Sequence, residues 1–64
     1  MNRIFARGFA WNDATRKIDL PAEYEARNRQ EALNWLKFNK DYIAQGRIVE
    51  VDGEGREVSN VRIV

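Results

Sequence analysis

The feature of this chain that most constrains its fold is a single segment with helical periodicity, flanked on each side by two segments that alternate like β-strands. Within it, Ala32, Leu36 and Ile43 form an apolar stripe at helical spacing, with Leu33 beside them. One helix covers only one face of a sheet. The order therefore predicts an α+β fold, ββαββ, in which a helix packs on one face of a four-stranded, mainly antiparallel sheet and the other face stays open.

The ends of the helix carry capping residues. Asn28 is a good N-cap, and Glu31 stands three residues later, where its side chain can bond back to the cap in a capping-box arrangement. Gly46 is a suitable C-terminal stop, and Asn39 would end the helix earlier. A flanking aromatic stripe of Trp35, Phe38 and Tyr42 is expected to pack against the margin of the sheet.

Four segments alternate or are β-branched, and turn residues separate the members of each pair. Pro21 cannot donate to a ladder, so the second segment is expected at a sheet edge. In the last pair, Val49 and Val51 are expected to share a face with Val61 and Ile63. The predicted strands are 3–11, 16–27, 47–51 and 58–64, with a hairpin turn at 52–55.

The chain has 64 residues and contains neither Cys nor His. This length predicts one small domain over residues 1–64, with stability that comes from packing alone or is shared between subunits. Disulfides and the common zinc sites are excluded. No nucleophile has a histidine to activate it, and no phosphate-loop or calcium-loop spacing is present. We therefore expect no enzyme activity, no cofactor and no metal.

The distribution of apolar and charged residues argues against a membrane protein. No apolar run approaches the roughly 20 residues that a membrane span needs, and the segment after Met1 is mixed in composition, so we expect neither membrane insertion nor secretion. The expected location is the cytoplasm. The net charge of +1 provides little long-range attraction for nucleic acid.

The first strand carries the most unusual set of side chains. Alternation places small residues (Ile4, Ala6, Gly8 and Ala10) on one face and a row of cations and rings on the other. If the small side chains face the helix, the row projects from the open face of the sheet. We expect it to be the partner-binding surface, formed by Arg3, Phe5, Arg7, Phe9 and Trp11.

Three interpretations of this row are open. Its rings can pack with the arginine stems as a second cluster, with the charges paired across strands to Glu23, Glu25 and Glu50. It can instead be a protein interface, including one between two copies of this chain. A third interpretation is a surface for single-stranded nucleic acid.

The run Arg7, Gly8, Phe9, Ala10, Trp11 resembles the start of the RNP1 motif of RNA-recognition-motif domains, over five residues. In that family such rings stack on bases of single-stranded RNA. The resemblance implies that Phe9 and Trp11 stack on bases and that Arg7 meets a phosphate. Arg16 and Lys17 would then extend the phosphate contacts along the strand.

Residues 22–57, from AEYEARNRQEALNWLKF to GRIVEVDGEGR, resemble in size and layout the strand, capped helix and hairpin of compact phage-encoded proteins, among them anti-CRISPR inhibitors. The resemblance implies a non-enzymatic binder that occludes a surface of a larger host protein or complex in the host cytoplasm. This protein-binding module is the predicted function. The alternatives are single-stranded nucleic-acid binding and a structural homo-oligomer such as a homodimer.

Overall fold

The computed structural model describes residues 1–63 and contains four strands and one helix in the predicted order. The strands form one antiparallel sheet in the order β2-β1-β3-β4. The α+β prediction is confirmed, and so is the edge position of the strand that contains Pro21. Val64, predicted within the last strand, lies outside the described residues. The elements are β1 (Arg3–Asn12), β2 (Lys17–Ala26), α1 (Arg29–Phe38), β3 (Ala44–Val51) and β4 (Glu57–Arg62).

Helix α1 begins at the predicted cap and ends at the earlier of the two expected positions. The Asn28 side chain accepts a hydrogen bond from the Glu31 backbone N–H at 2.8 Å. The Glu31 carboxylate accepts from the backbone N–H of Arg27 at 3.0 Å instead of from Asn28. The expected capping box is therefore wrong in its return bond, which reaches one residue further back. Asn39 is the C-cap, and Gly46 lies within β3.

The main core lies between α1 and one face of the sheet, and small side chains make close approach possible there. Ala6 and Ala32 are fully buried, and Ile48 and Leu36 pack with them. Gly8 lies on the same face, where an added Cβ would collide with the Ile43 side chain and lie 2.8 Å from the Ala44 carbonyl oxygen. The prediction that the small residues of the first strand face the helix is confirmed.

The register of the last hairpin differs from the expected one. Ile48 lies opposite Val61, and Val49 lies opposite Asn60. Residues directly opposite in an antiparallel pair share a face, so the expectation that Val49 and Val51 share a face with Val61 is wrong. A register shift between Glu50 and Val51 accounts for the difference, because one extra residue in a strand reverses which side chains face which side.

The helix is much shorter than the ribbon formed by β1 and β2. Ten helical residues span about 15 Å, whereas ten strand residues span about 33 Å. Only two residues separate the end of β2 from the start of α1, so α1 covers the half of the ribbon next to Ala26. At the other half, β3 begins opposite Phe9, and in the described chain Trp11 pairs with β2 alone. We call residues 10–20 the ribbon end.

Candidate functional site

The open face of the sheet contains a second buried cluster, and Phe5 belongs to it. Phe5 is 6% exposed and packs with Val49 and Val51. The guanidinium groups of Arg3 and Arg7 lie over its ring, 5.0 and 4.9 Å from the ring centroid. The prediction that Phe5 belongs to an exposed contact patch is therefore wrong, because neighbouring strands and arginine stems cover it.

Arg3 and Arg7 are held by carboxylates on the neighbouring strand. Arg3 donates two hydrogen bonds to Glu25, from Nε at 2.9 Å and from Nη2 at 2.8 Å. Arg7 Nε donates to Glu23 at 2.7 Å. The hydrogen bonds from Arg3 lower the pKa of the Glu25 carboxyl below its ordinary value. At this end of the row, the structural interpretation of paired charges over a buried ring is confirmed.

Glu50 does not belong to this set of pairs, although it was expected there. It lies opposite Ser59 on the helix side of the sheet. Its carboxylate accepts from Asn2 at 2.7 Å and forms an ion pair with Arg29 at 3.5 Å. The expectation fails because Glu50 and Ile48 are two residues apart on β3 and therefore face the same side of the sheet. Ile48 packs under the helix.

Phe9 is half-buried and borders a shallow depression of about 370 Å³ on the open face. It lies opposite Pro21 across the ribbon. Val49 and Arg47 contribute the β3 side of the depression. The charged residues Arg7, Glu23 and Glu57 also line this depression, so Phe9 borders a depression with both polar and apolar walls.

Trp11 is exposed and lies at the ribbon end. Its side chain is 53% accessible, and the indole N–H donates to Asp13 at 2.7 Å. Ile18 lies opposite it and is also exposed. Both side chains line a cleft of about 650 Å³ between the ribbon end and the loop that precedes β3, which contributes Lys40, Asp41 and Tyr42.

Of the aromatic stripe that was expected to pack against the margin of the sheet, only Trp35 is partly buried. Trp35 stacks on Tyr24 with ring centroids 5.5 Å apart. Phe38 and Tyr42 are 87% and 75% exposed, so their predicted packing is wrong. Tyr42 leaves the stripe because α1 ends at Phe38. Phe38 is the last residue of α1, and Tyr42 lies in the loop that follows it, toward the half of the ribbon that α1 does not cover.

A register shift in β2 also separates two side chains that were expected to share a face. Trp11 lies opposite Ile18, whereas Ala10 lies opposite Leu20. Ile18 and Leu20 therefore lie on opposite faces of the ribbon end, and both are exposed. The large exposed apolar side chains at this end of the molecule form what we call the apolar pole: Trp11, Ile18, Leu20, Phe38 and Tyr42.

The residues predicted for nucleic-acid contact divide into two groups. Trp11, Arg16 and Lys17 come together at the ribbon end, where the backbone N–H of Arg16 bonds to the Asn12 carbonyl at 2.7 Å. Arg7 is held by Glu23 further along the sheet. Sequence reasoning missed Ile18, Leu20 and Tyr42. The signal for them was the mismatch between a short helix and long strands.

No family model, curated protein or solved structure matches this chain. Among residues 1–63, no three carboxylate side chains are grouped so that they could hold a metal ion. None of the described helices is long and apolar enough to cross a membrane. The assignment of function therefore depends on the geometry of the apolar pole and the open face.

Proposed function

We propose that this chain is a non-enzymatic protein-binding module and that it contacts its partner through the apolar pole together with Phe9. The observation that carries the proposal is the exposure of five large apolar side chains at one end of the molecule. Trp and Tyr are enriched among residues that dominate binding energy. Trp11 and Tyr42 line the same cleft, and we assign them as the anchors for a partner side chain.

The ribbon end gives independent support, because within residues 1–63 no third strand pairs with it and the helix ends before it. A two-stranded ribbon is marginally stable in water without a covering layer. Here the rest of the sheet and the helix stop short of Trp11 and Leu20. A partner that packs on this end would supply the missing layer.

The proposed contact surface is smaller than the row predicted on β1 and lies at one end of it. Phe9 and Trp11 remain members, whereas Phe5 is buried and Arg3 and Arg7 are engaged with carboxylates. A domain of this size without a catalytic set acts most simply by occluding a surface of a larger protein. Inhibition of a host protein by a phage-encoded chain is the specific form of this proposal.

The test is affinity capture with the intact chain and a double variant, Trp11→Ala with Tyr42→Ala. We expect the wild-type chain to retain a partner that the double variant loses, while the thermal melt followed by circular dichroism stays nearly unchanged. Val58→Ala is the matched control. Val58 is 54% exposed, but it lies at the end of β4 next to the 52–56 turn, away from the apolar pole. A collapsed melt, or equal capture by both proteins, would contradict the proposal.

A second candidate function is single-stranded nucleic-acid binding, favoured by the proximity of Trp11 to Arg16 and Lys17 in the ribbon end. Two contacts weigh against it: Asp13 occupies the indole N–H, and Glu23 engages Arg7. A titration with a labelled oligothymidylate at two salt concentrations tests it. Binding that weakens steeply with salt would favour this function, and no binding at low salt would remove it.

A structural homo-oligomer is supported by one feature, the outer edge of β4. This strand is at the end of the sheet and carries exposed Val58 and Val61. Exposed edges of this kind can pair with another chain. Sedimentation tests it, since a mass above 7.5 kDa would show self-association.

A further inference from the structure

Charged groups of both signs surround the apolar pole. The ribbon end and the loop of residues 39–43 contain three cations and three carboxylates, which we call the rim: Arg16, Lys17, Lys40, Asp13, Asp19 and Asp41. Lys40 and Asp41 both line the cleft beside Trp11. Among residues 1–63, none of the six lies within ion-pair distance of an opposite charge. The rim is therefore neutral overall, and its charges have no ionic partner in the described chain.

A neutral rim of mixed sign selects a partner surface that is also mixed. A strongly charged partner of either sign would bring like charge against half of the rim, which disfavours that partner. A second copy of this chain carries the same three cations and three carboxylates beside the same apolar side chains. In a two-fold symmetric contact, each pair between a carboxylate of one copy and a cation of the other occurs twice. The charges of the rim are therefore suited to self-association.

The apolar pole also has the exposed surface that a small dimer contact needs. Trp11, Ile18 and Tyr42 line the cleft and are each more than half exposed. None of residues 10–20 and 39–43, a quarter of the chain, is buried. Specific contacts begin at about 600 Å² on each partner, which is about one eighth of the 4776 Å² surface of this chain. The pole therefore supplies enough area for a weak dimer.

From these observations we propose that the apolar pole of one copy packs on the apolar pole of a second copy in a weak, two-fold symmetric dimer. Trp11, Ile18 and Tyr42 are buried at its centre, and the charges of the rim pair between the copies. Each ribbon end supplies the covering layer that the other lacks. The dimer occupies the surface that the proposed function assigns to a partner protein, so self-association and partner binding exclude each other. The inference rests on that contact surface and not on the identity of the partner.

This dimer is different from one that pairs along the outer edge of β4. The pole is built on β1 and β2, and β3 separates these strands from β4 in the sheet. Contact through the pole leaves the β4 edge exposed, and pairing along β4 leaves the pole exposed. A mass measurement on the wild-type chain does not separate the two contacts, so the test also changes the charges of the rim.

The first measurement is sedimentation equilibrium of the intact wild-type chain at increasing concentration. We expect the average mass to rise from the 7.5 kDa of one chain toward twice that value. Trp11→Ala should keep the mass near that of one chain, because it removes the largest side chain of the cleft. A wild-type mass that stays at 7.5 kDa at the highest concentration would overturn the inference.

Charge reversal tests the pairing of the rim. One double variant, Lys17→Glu with Lys40→Glu, makes the rim negative, and a second, Asp19→Lys with Asp41→Lys, makes it positive. Each variant alone should sediment as a monomer, because like charges meet across the contact. An equimolar mixture of the two should recover the dimer. All four side chains are exposed, so the thermal melts of both variants should match that of the wild-type chain.

Two control variants change charge away from the pole. Glu54→Lys lies in the turn at the opposite end, and Val61→Lys lies on the edge strand β4; both should associate like the wild-type chain. The inference is overturned if the mixture stays monomeric, if either rim variant associates alone, or if Val61→Lys abolishes a dimer that both rim variants keep.

The same proteins separate this inference from the proposed function. A wild-type chain that captures a partner but sediments as a monomer would refute the inference and leave the proposed function standing. A dimer that meets the charge-reversal test but captures no partner would refute the proposed function and leave the inference standing.

Discussion

At the scale of single residues, Gly8 sets how closely β1 approaches the segment that enters β3. A methyl group at this position would meet the Ile43 side chain and a backbone oxygen of Ala44 at 2.8 Å. A flexible side chain can move, but a backbone carbonyl in a ladder cannot do so without disturbing its neighbours. The strand therefore needs an unsubstituted Cα at this position for packing and not for its backbone angle.

Gly8→Ala is expected to destabilise the fold by about 1–3 kcal/mol, the usual cost of forcing extra atoms into a packed site. Urea denaturation monitored by circular dichroism measures the loss. Gly53→Ala is the matched control, because no atom lies within 4 Å of a Cβ built there. Equal denaturation midpoints for the two variants would show that the β1–β3 contact is looser than described.

Glu31 is the residue whose protonation should have the clearest effect on stability. Its carboxylate accepts from the backbone N–H and the Nε of Arg27 and from the Tyr24 hydroxyl, each at 3.0 Å. The backbone hydrogen bond from Arg27, followed by the other donors, lowers the Glu31 pKa below its ordinary value of 4.5, and the bond to Glu31 raises the Tyr24 pKa.

Because the pKa of Glu31 is lower in the folded state, its stabilisation is present above pH 4.5 and is lost as the pH falls through the folded pKa. Thermal melts between about pH 7 and about pH 3 should therefore show decreasing stability. Glu31→Gln should make this decrease shallower, and the remaining slope should include the Arg3-paired Glu25. A variant with an unchanged slope would contradict the role of Glu31.

At the scale of elements, the two faces of the sheet have different reasons to be apolar. The helix side is covered by α1, and the open side is covered locally by arginine stems over Phe5. A second cluster of this kind adds burial to a domain whose single helix cannot cover both faces. Phe5 and its two valine neighbours are therefore part of the folding core.

Phe5→Ala is expected to cost about 3–5 kcal/mol, as for other buried phenylalanines, which would leave a domain of this size largely unfolded. Phe38→Ala is the matched control, because Phe38 is 87% exposed and exposed substitutions usually change stability by less than about 0.5 kcal/mol. Chemical denaturation of both proteins compares the two costs. Similar stabilities would mean that Phe5 is not buried as described.

Most elements could be predicted from the sequence, since alternation, the Asn28 cap and the glycine-rich turn each leave a local pattern. The register shifts could not. The shift in β2 separates Ile18 from Leu20, and the one between β3 and β4 places Val61 opposite Ile48. Such shifts depend on how a strand fits its neighbour, and the residue types at these positions do not reveal them.

At the scale of the whole molecule, the five-residue row predicted on β1 divides into a structural part and an exposed part. Assigning Arg3 and Arg7 to structure required knowing that Glu25 and Glu23 lie within hydrogen-bond reach on the neighbouring strand. Recognising Tyr42 and Leu20 as exposed required comparing the lengths of the helix and the ribbon. The location of the apolar pole is thus a property of the assembled fold.

The most direct test of the proposed contact surface is site-specific photo-crosslinking in a lysate of the source cells. Two proteins are compared, one with p-benzoylphenylalanine in place of Trp11 and one with it in place of Glu54, an exposed residue of the turn at the opposite end. We predict a covalent adduct with a partner protein from position 11 and none from position 54. Adducts from position 54 with none from position 11 would contradict the account.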